Sequence, residues 1–404
     1  MIPLPVEDLR GLGELDAAAE VVTGVRVDSR LVSPGDLFVA VAGGAGFVAD
    51  ARARGASTLV PADPFTALAT IAGKVRDASG ARVVGITGSY GKTTTKDILA
   101  AIASAQRPTV AAEQSFNNEV GVPLTLCRLE PETEICILEL AMRGLGQIAE
   151  LCAFARPEIG VVVAIGPVHL EKVGTLENVV RAKSELIDAL PPGGTAVVPA
   201  GFPVGRGDLD VVRLGDDVRV ESFEPPLLAT SLGEVEVSFT ARHLAANALA
   251  ALATARVLGL ALPARLDVDF TGMRNQELEL PGGGLLVNDA WNANPVSMRA
   301  ALEHLHELAG GRRTVAVLGD MAELGDYAEE GHREVARALE EVGIDLLVAV
   351  GPQARAYGGR WVATRDDALA LLREELRPGD CVLVKGARAL GLEGIAAALA
   401  NVAA

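Results

Sequence analysis

From residue 81 onward the chain repeats one hydropathy pattern. A short continuous apolar run is followed by a glycine-rich or polar break, then by a longer stretch with helical spacing. Runs at 81–87, 134–140 and 160–165 precede helical stretches at 92–105, 146–155 and 175–190. Strands that are apolar at consecutive positions are buried on both faces, so the pattern predicts a parallel sheet covered by helices on either side. Pro191-Pro-Gly-Gly closes the series and Thr195-Ala-Val-Val begins another strand. Ahead of it, residues 1–77 read as a small α/β unit. Its strands are Val25-Arg-Val-Asp-Ser-Arg, Asp36-Leu-Phe-Val-Ala-Val and Ser57-Thr-Leu-Val, with a helix end from Ala49 to Gly55. Between about 203 and 240, alternating pieces such as Glu234-Val-Glu-Val-Ser-Phe predict a β-rich insertion. An alanine-rich helix follows from Ala241 to Leu258, ended by Gly259. A third α/β block starts beyond 272, with strands at Gly284-Leu-Leu-Val-Asn, Thr314-Val-Ala-Val-Leu, Asp345-Leu-Leu-Val-Ala-Val and Cys381-Val-Leu-Val.

The first break in the repeat carries the clearest chemistry. Ala81-Arg-Val-Val runs into Gly85-Ile-Thr-Gly-Ser-Tyr-Gly-Lys-Thr-Thr-Thr, a strand entering a glycine-rich turn that opens a helix. Backbone N–H groups around Gly88, Ser89 and Gly91, with Thr93 and Thr94 at the helix N-terminus, suit phosphate oxygens, and Lys92 neutralises their charge. Ile86 holds the place of the first glycine of the strict P-loop pattern, so the loop is a variant. The reading is a nucleoside triphosphate site. Two more groups fall at strand ends, where ligands of parallel sheets bind. Glu139 ends Ile135-Cys-Ile-Leu-Glu, and His169 lies in Gly166-Pro-Val-His-Leu after Val161-Val-Val-Ala-Ile. Alone, one could cap a helix and the other be an ordinary loop histidine. Together, beside a triphosphate loop, they predict Mg²⁺ ligands. Lys183, in Arg181-Ala-Lys-Ser-Glu-Leu, reads from its local sequence as a solvated helix charge.

Composition narrows the field. A chain of 404 residues, half of them apolar, has material for two or three cores. No apolar run approaches the roughly 18–20 residues of a membrane span, and the first residues lack the regions of a signal peptide. The net charge of −17 carries no basic stripe, which disfavours nucleic acid and anionic membranes as partners. Cys127, Cys136, Cys152 and Cys381 have no metal or redox spacing and read as small core residues in a reducing compartment. The expectation is a cytoplasmic monomer that handles small anionic substrates, without membrane insertion.

Further segments complete a resemblance along nearly the whole chain. They are Val27-Asp-Ser-Arg, the phosphate loop through Lys96, Asn117-Asn-Glu-Val-Gly-Val-Pro, Glu139, Gly166-Pro-Val-His-Leu and Arg181-Ala-Lys-Ser-Glu. Then follow Arg242-His-Leu-Ala-Ala-Asn, Asn288-Asp-Ala-Trp-Asn-Ala-Asn-Pro, Gly319-Asp-Met-Ala-Glu-Leu-Gly and Val384-Lys-Gly-Ala-Arg. In this order they resemble the Mur ligase family. The combination of Asn292-Ala-Asn-Pro, Ser297-Met-Arg and the Gly-Asp-Met motif points to the branch that joins D-alanyl-D-alanine to UDP-N-acetylmuramoyl-tripeptide. The resemblance implies three α/β domains: an N-terminal UDP-substrate domain at 1–78, a central parallel-sheet P-loop ATPase domain at 79–271, and a Rossmann-like C-terminal ligase domain at 272–404. It implies ATP-dependent amide synthesis through an acyl phosphate, in peptidoglycan precursor synthesis. Lys92 would hold the β- and γ-phosphates and Thr93 one Mg²⁺. Glu139 would bridge toward a second Mg²⁺ that His169 also binds, and Lys183 would be carbamylated by CO₂. Asn247 would contact adenine with Trp291 packed nearby, while Arg274 and Asp289 reach the nucleotide across the cleft. Asp28, Ser29 and Arg30 would belong to the uridine-nucleotide site. Asn117 and Asn118 would lie between substrate and reacting phosphate, and Asn292 and Asn294 would also contact substrate.

The chain departs from the family pattern in places. Gly43-Gly-Ala-Gly-Phe replaces a longer loop that in relatives usually carries Asp-Gly-His, Ala141-Met-Arg-Gly-Leu-Gly replaces a more usual Gly-Met-Asn-His-Pro-Gly, Ala387 stands for a serine and Leu244 for an asparagine. The short first domain favours an alternative, an amide ligase of the same fold acting on a different acid. A regulatory nucleotide-binding protein without ligase chemistry is opposed by the presence of Lys92, Glu139, His169 and Lys183.

Overall fold

The buried apolar runs become the inner strands of two six-stranded sheets in the computed structural model, which describes residues 1–400. The central sheet runs, in spatial order, Asp210–Leu214, Thr195–Pro199, Ile159–Val162, Arg82–Thr87, Ile135–Glu139 and Thr109–Ala111, with every neighbouring pair parallel. Arg82–Thr87 thus has later strands on both sides, which opens a crevice beyond its carboxyl end. The register sets Ile86 opposite Glu139 and Thr87 opposite Val162, so three strand ends meet there.

One face of this sheet is covered by helices Gln147–Ala155 and Leu176–Asp188, and the apolar side of Pro64–Ala78 joins the same core through Leu68 and Ile71. The other face carries Lys92–Ser104 and Leu244–Val257. The latter helix is apolar over most of its surface, as a largely buried helix must be. It starts three residues later than its composition suggested, because the N–H groups of Leu244 and Ala245 bond back to Ala241 and Arg242 in a tight turn. The β-rich insertion is present as Val220–Glu224, Leu227–Thr230 and Gly233–Val237, an antiparallel meander joined by Arg265–Leu266.

The C-terminal sheet runs Gln276–Leu280, Gly284–Asp289, Cys381–Lys385, Thr314–Gly319, Leu346–Val350 and Arg360–Val362, antiparallel only in its first pair. Helices Pro295–Ala309 and Ala328–Val342 cover one face, Arg365–Glu375 and Glu393–Ala400 the other. The edge strands Gln276–Leu280, Thr109–Ala111 and Arg360–Val362 lie outside the sequence reading, since a strand paired on one side need not be a continuous apolar run. The N-terminal unit is a four-stranded sheet ordered Gly13–Asp16, Ser57–Pro61, Asp36–Val39 and Gly24–Arg26. The strand expected through Arg30 stops at Arg26, because the Asp28 carboxylate caps the turn Ser29–Leu31. All four cysteines are free and buried, and among the described residues no helix is long and apolar enough to cross a membrane.

Candidate active site

Between the central and C-terminal sheets lies a cleft of about 810 Å³, within the size range of small-molecule sites. The phosphate loop forms its floor. Ser89 ties the loop to the neighbouring strand end: its N–H donates to Ala164 O at 2.8 Å, and its hydroxyl donates to Gly166 O at 3.0 Å while accepting from Gly166 N at 2.9 Å. Gly91 turns the chain into the helix with φ +79°, and a β-carbon there would lie 2.5 Å from Asn247 Nδ2. That amide instead donates to Gly91 O at 3.1 Å, so Asn247 braces the loop from helix Leu244–Val257. Lys92 reaches back over the loop to Gly88 O at 2.9 Å. Burial draws its ammonium below the ordinary lysine range, an effect Arg274 reinforces and Glu139 opposes. Thr94 lines the same cleft.

Glu139 is buried at the end of its strand and has both oxygens engaged. Thr93 donates its hydroxyl to Oε2 at 2.7 Å, and Asn117 donates its amide to Oε1 at 2.7 Å. The buried charge therefore has two polar partners, as such a group requires. Lys183 departs from its local reading. It is fully buried on helix Leu176–Asp188, and its Nζ has no hydrogen-bond partner. Desolvation, then the like charge of Lys92, push the amine well below its ordinary range, against the attraction of Glu185 and Glu139. Burial thus favours the uncharged amine, the form of lysine that reacts with CO₂. Glu139 and Thr93 are hard oxygen donors, the kind Mg²⁺ prefers. Among the described residues no group of three or more histidine, cysteine or acidic side chains could hold a metal unaided.

The opposite wall comes from the C-terminal sheet and the segment leading into it. Arg274 crosses to donate to Ser115 Oγ at 3.0 Å, and its guanidinium lies 5.2 Å from the Trp291 ring centre, as does that of Arg388. Asp289 is held by Lys385 at 2.5 Å and accepts from Asn275 N at 3.2 Å. Asn292 and Asn294 line the cleft, but their side-chain oxygens are engaged locally. Asn292 accepts from Ala293 N at 2.9 Å, and Asn294 caps helix Pro295–Ala309 by accepting from Ser297 N at 2.9 Å. Asn118 likewise accepts from the N–H groups of Val120 and Gly121.

His169 sits on the cleft wall, its Nδ1 paired with Glu323. Asp28, Ser29 and Arg30 are not brought to the cleft. They lie on the N-terminal unit, where Asp28 pairs with Arg30 at 2.6 Å and its carboxyl is held down at about 2, first by that guanidinium. Ser115, Glu323, Lys385 and Arg388 belong to the site without having been singled out. Three of them lie in the Gly319 and Val384 motifs, which signalled importance without a role.

Comparison with known proteins bears on family and fold. Residues 86–255 match the Mur ligase middle domain, and 273–388 match the Mur ligase, glutamate ligase domain. The UDP-N-acetylmuramoyl-tripeptide–D-alanyl-D-alanine ligase of Mycobacterium tuberculosis is 34% identical, the match covering 95% of this chain and 93% of the relative. That of Escherichia coli is 33% identical, covering 96% of each. Among solved structures, MurF from Acinetobacter baumannii superposes with a TM-score of 0.85 at 28% identity over 99% of both chains. MurF ligase from Thermotoga maritima in complex with ADP gives 0.80 at 26% identity, over 94% of this chain and 97% of that one. The chain belongs to the Mur ligase family, on its MurF branch.

Proposed function

We propose that this chain is the ATP-dependent ligase that joins D-alanyl-D-alanine to UDP-N-acetylmuramoyl-tripeptide in peptidoglycan precursor synthesis. One observation carries the reading. A phosphate loop and the Thr93–Glu139–Asn117 cluster line one cleft, which Arg274 enters from the C-terminal side, while Lys183 is buried without a partner within the electrostatic reach of Lys92 and Glu139. The tripeptide carboxylate attacks the γ-phosphate of ATP, giving an acyl phosphate and ADP. The amine of the dipeptide then attacks the acyl carbon, and inorganic phosphate leaves. Both steps bring anions together, so the chain's task is to orient them and offset their charge. Lys92 and the helix N-terminus at Thr93 and Thr94 hold the phosphates, and Asn247 keeps the loop in shape. Arg274 and Trp291 close over the nucleotide, while Asp289 is held ready by Lys385.

Two Mg²⁺ ions would supply further positive charge at the transferring phosphate. Thr93, Glu139, His169 and carbamylated Lys183 are the residues that would hold them. CO₂ adds to the neutral Lys183 amine with loss of one proton, converting an orphaned nitrogen into an anionic oxygen donor. Domains at 1–78, 79–271 and 272–404 belong to the same reading. Strand Arg82–Thr87 opens the central sheet just after the first boundary, and Thr271, next to the second, is tied to the central unit through Asp97. We place the reaction in the cytoplasm and assign it to a monomer. The turn Gly44–Phe47, with Phe47 exposed, stands where relatives carry a longer loop, and it favours the second reading of a different acid substrate. Phosphate release from Mg²⁺-ATP, with each component omitted in turn, separates the two. Dependence on ATP, the UDP-tripeptide and D-alanyl-D-alanine together, with a matching pentapeptide product, is expected. ATP binding without release would point to another acid.

A further inference from the structure

Nδ1 of His169, in the central unit, lies 2.5 Å from Oε2 of Glu323, in the C-terminal unit. Three other observations show that this contact is built into both backbones. Glu171 N–H donates to Glu323 O at 3.3 Å. Gly325 approaches the same turn so closely that a β-carbon on it would lie 2.8 Å from Glu171 Cα, and its φ is +57°. His169 and Glu323 themselves take φ values of +56° and +62°, a region that residues with side chains rarely enter. Two turns from different sheets are thus shaped to bring one imidazole to one carboxylate.

An imidazole that ligates a metal through one nitrogen takes its tautomer and ring orientation from the partner of the other. With Nδ1 donating to Glu323, Nε2 is the nitrogen left for an ion. We infer that Glu323 is a positioning residue for the His169 end of the metal site, delivered by the C-terminal domain. Metal affinity and docking of that domain are then linked, because the partner that orients His169 arrives only when the Gly319–Gly325 segment sits on the His169–Val173 turn. The inference rests on His169 being a Mg²⁺ ligand and goes beyond it.

The test is Mn²⁺ binding to the full-length chain at saturating ADP, read from the electron paramagnetic resonance signal of free Mn²⁺. Glu323→Ala is expected to weaken one Mn²⁺ site by roughly 10- to 100-fold, the usual effect of losing such an outer partner. Glu323→Gln, which can still accept the hydrogen bond, should retain most of the affinity. The metal-free melting temperature of each variant should stay at the wild-type value. In a His169→Ala background, Glu323→Ala should add nothing, since both act through one group. Wild-type or tighter Mn²⁺ binding in Glu323→Ala, with binding lost in His169→Ala, would overturn the inference alone. Unchanged binding in His169→Ala would remove the ligand assignment, and the inference with it.

Discussion

Lys183 is a cation that the fold has taken out of water without supplying a partner. Burying a charge in this way is expensive, so desolvation lowers the pKa of the amine and favours its neutral form. Lys183→Ala should therefore leave the chain folded while abolishing ligation, and near-normal turnover in that variant would sink the second-metal assignment. Wild-type activity should also fall in CO₂-free buffer and return on adding bicarbonate. His243 shows the same physics without an assigned chemical role. Burial lowers its pKa from 6.5 to about 4, so below pH 6.5 the unfolded chain binds a proton that the folded chain refuses. Stability is then full above pH 6.5 and declines as pH falls toward 4. Partial exposure of the ring reduces the loss to about 2 kcal/mol at most. Urea midpoints measured at pH 7 and pH 4.5 should differ less in His243→Gln than in wild type.

At the scale of elements, the site depends on how helices begin. Lys92–Ser104 starts immediately after Gly91, which places its free N–H groups at the phosphate loop. Pro295–Ala309 starts with an Asn294–Ser297 capping box followed by Pro295. In the sequence Asn294 reads as a substrate contact; in the fold it lines the cleft while its side-chain oxygen caps the helix. Asn294→Ala should cost about 1 kcal/mol of stability, visible as a lower denaturation midpoint. Asn294→Asp, which caps as well, should restore the midpoint. A variant with normal stability but a raised KM for the dipeptide would return Asn294 to the substrate. Short stretches reveal such residues but not their partners, because a capping bond and a ligand bond call for the same amide.

For the whole molecule, function depends on how the two six-stranded sheets face each other. Asp97, on the phosphate-loop helix, holds Thr271 through its N–H at 2.9 Å and its hydroxyl at 3.2 Å. Gly272 follows, then Met273 and Asn275 with φ of +62° and +50°. A bend anchored at one end in this way delivers Arg274 to the nucleotide cleft. Arg274→Ala should lower kcat/KM for ATP by roughly 100-fold, comparable to losing one preorganised charge-stabilising donor. It should also remove any compaction that ADP produces in small-angle scattering. An unchanged kcat/KM would mean that Arg274 serves only the packing of Trp291.

The sequence by itself determined the α/β class, the central parallel sheet, the variant phosphate loop and the strand-end position of Glu139. Those features are local, since continuous apolar runs, glycine turns and a charge closing an apolar strand are written within a few residues. It also carried the motifs that place the chain in its family. Only the tertiary structure decided what those motifs touch. The burial of Lys183 depends on helix Leu176–Asp188 packing against helix Gln147–Ala155 and strands Arg82–Thr87 and Ile159–Val162. The brace from Asn247 to Gly91 spans 156 residues, and the pair of His169 with Glu323 spans 154. Polar side chains show in their sequence that they need partners, but which partner they meet is decided by strand order and by how the sheets lie against one another.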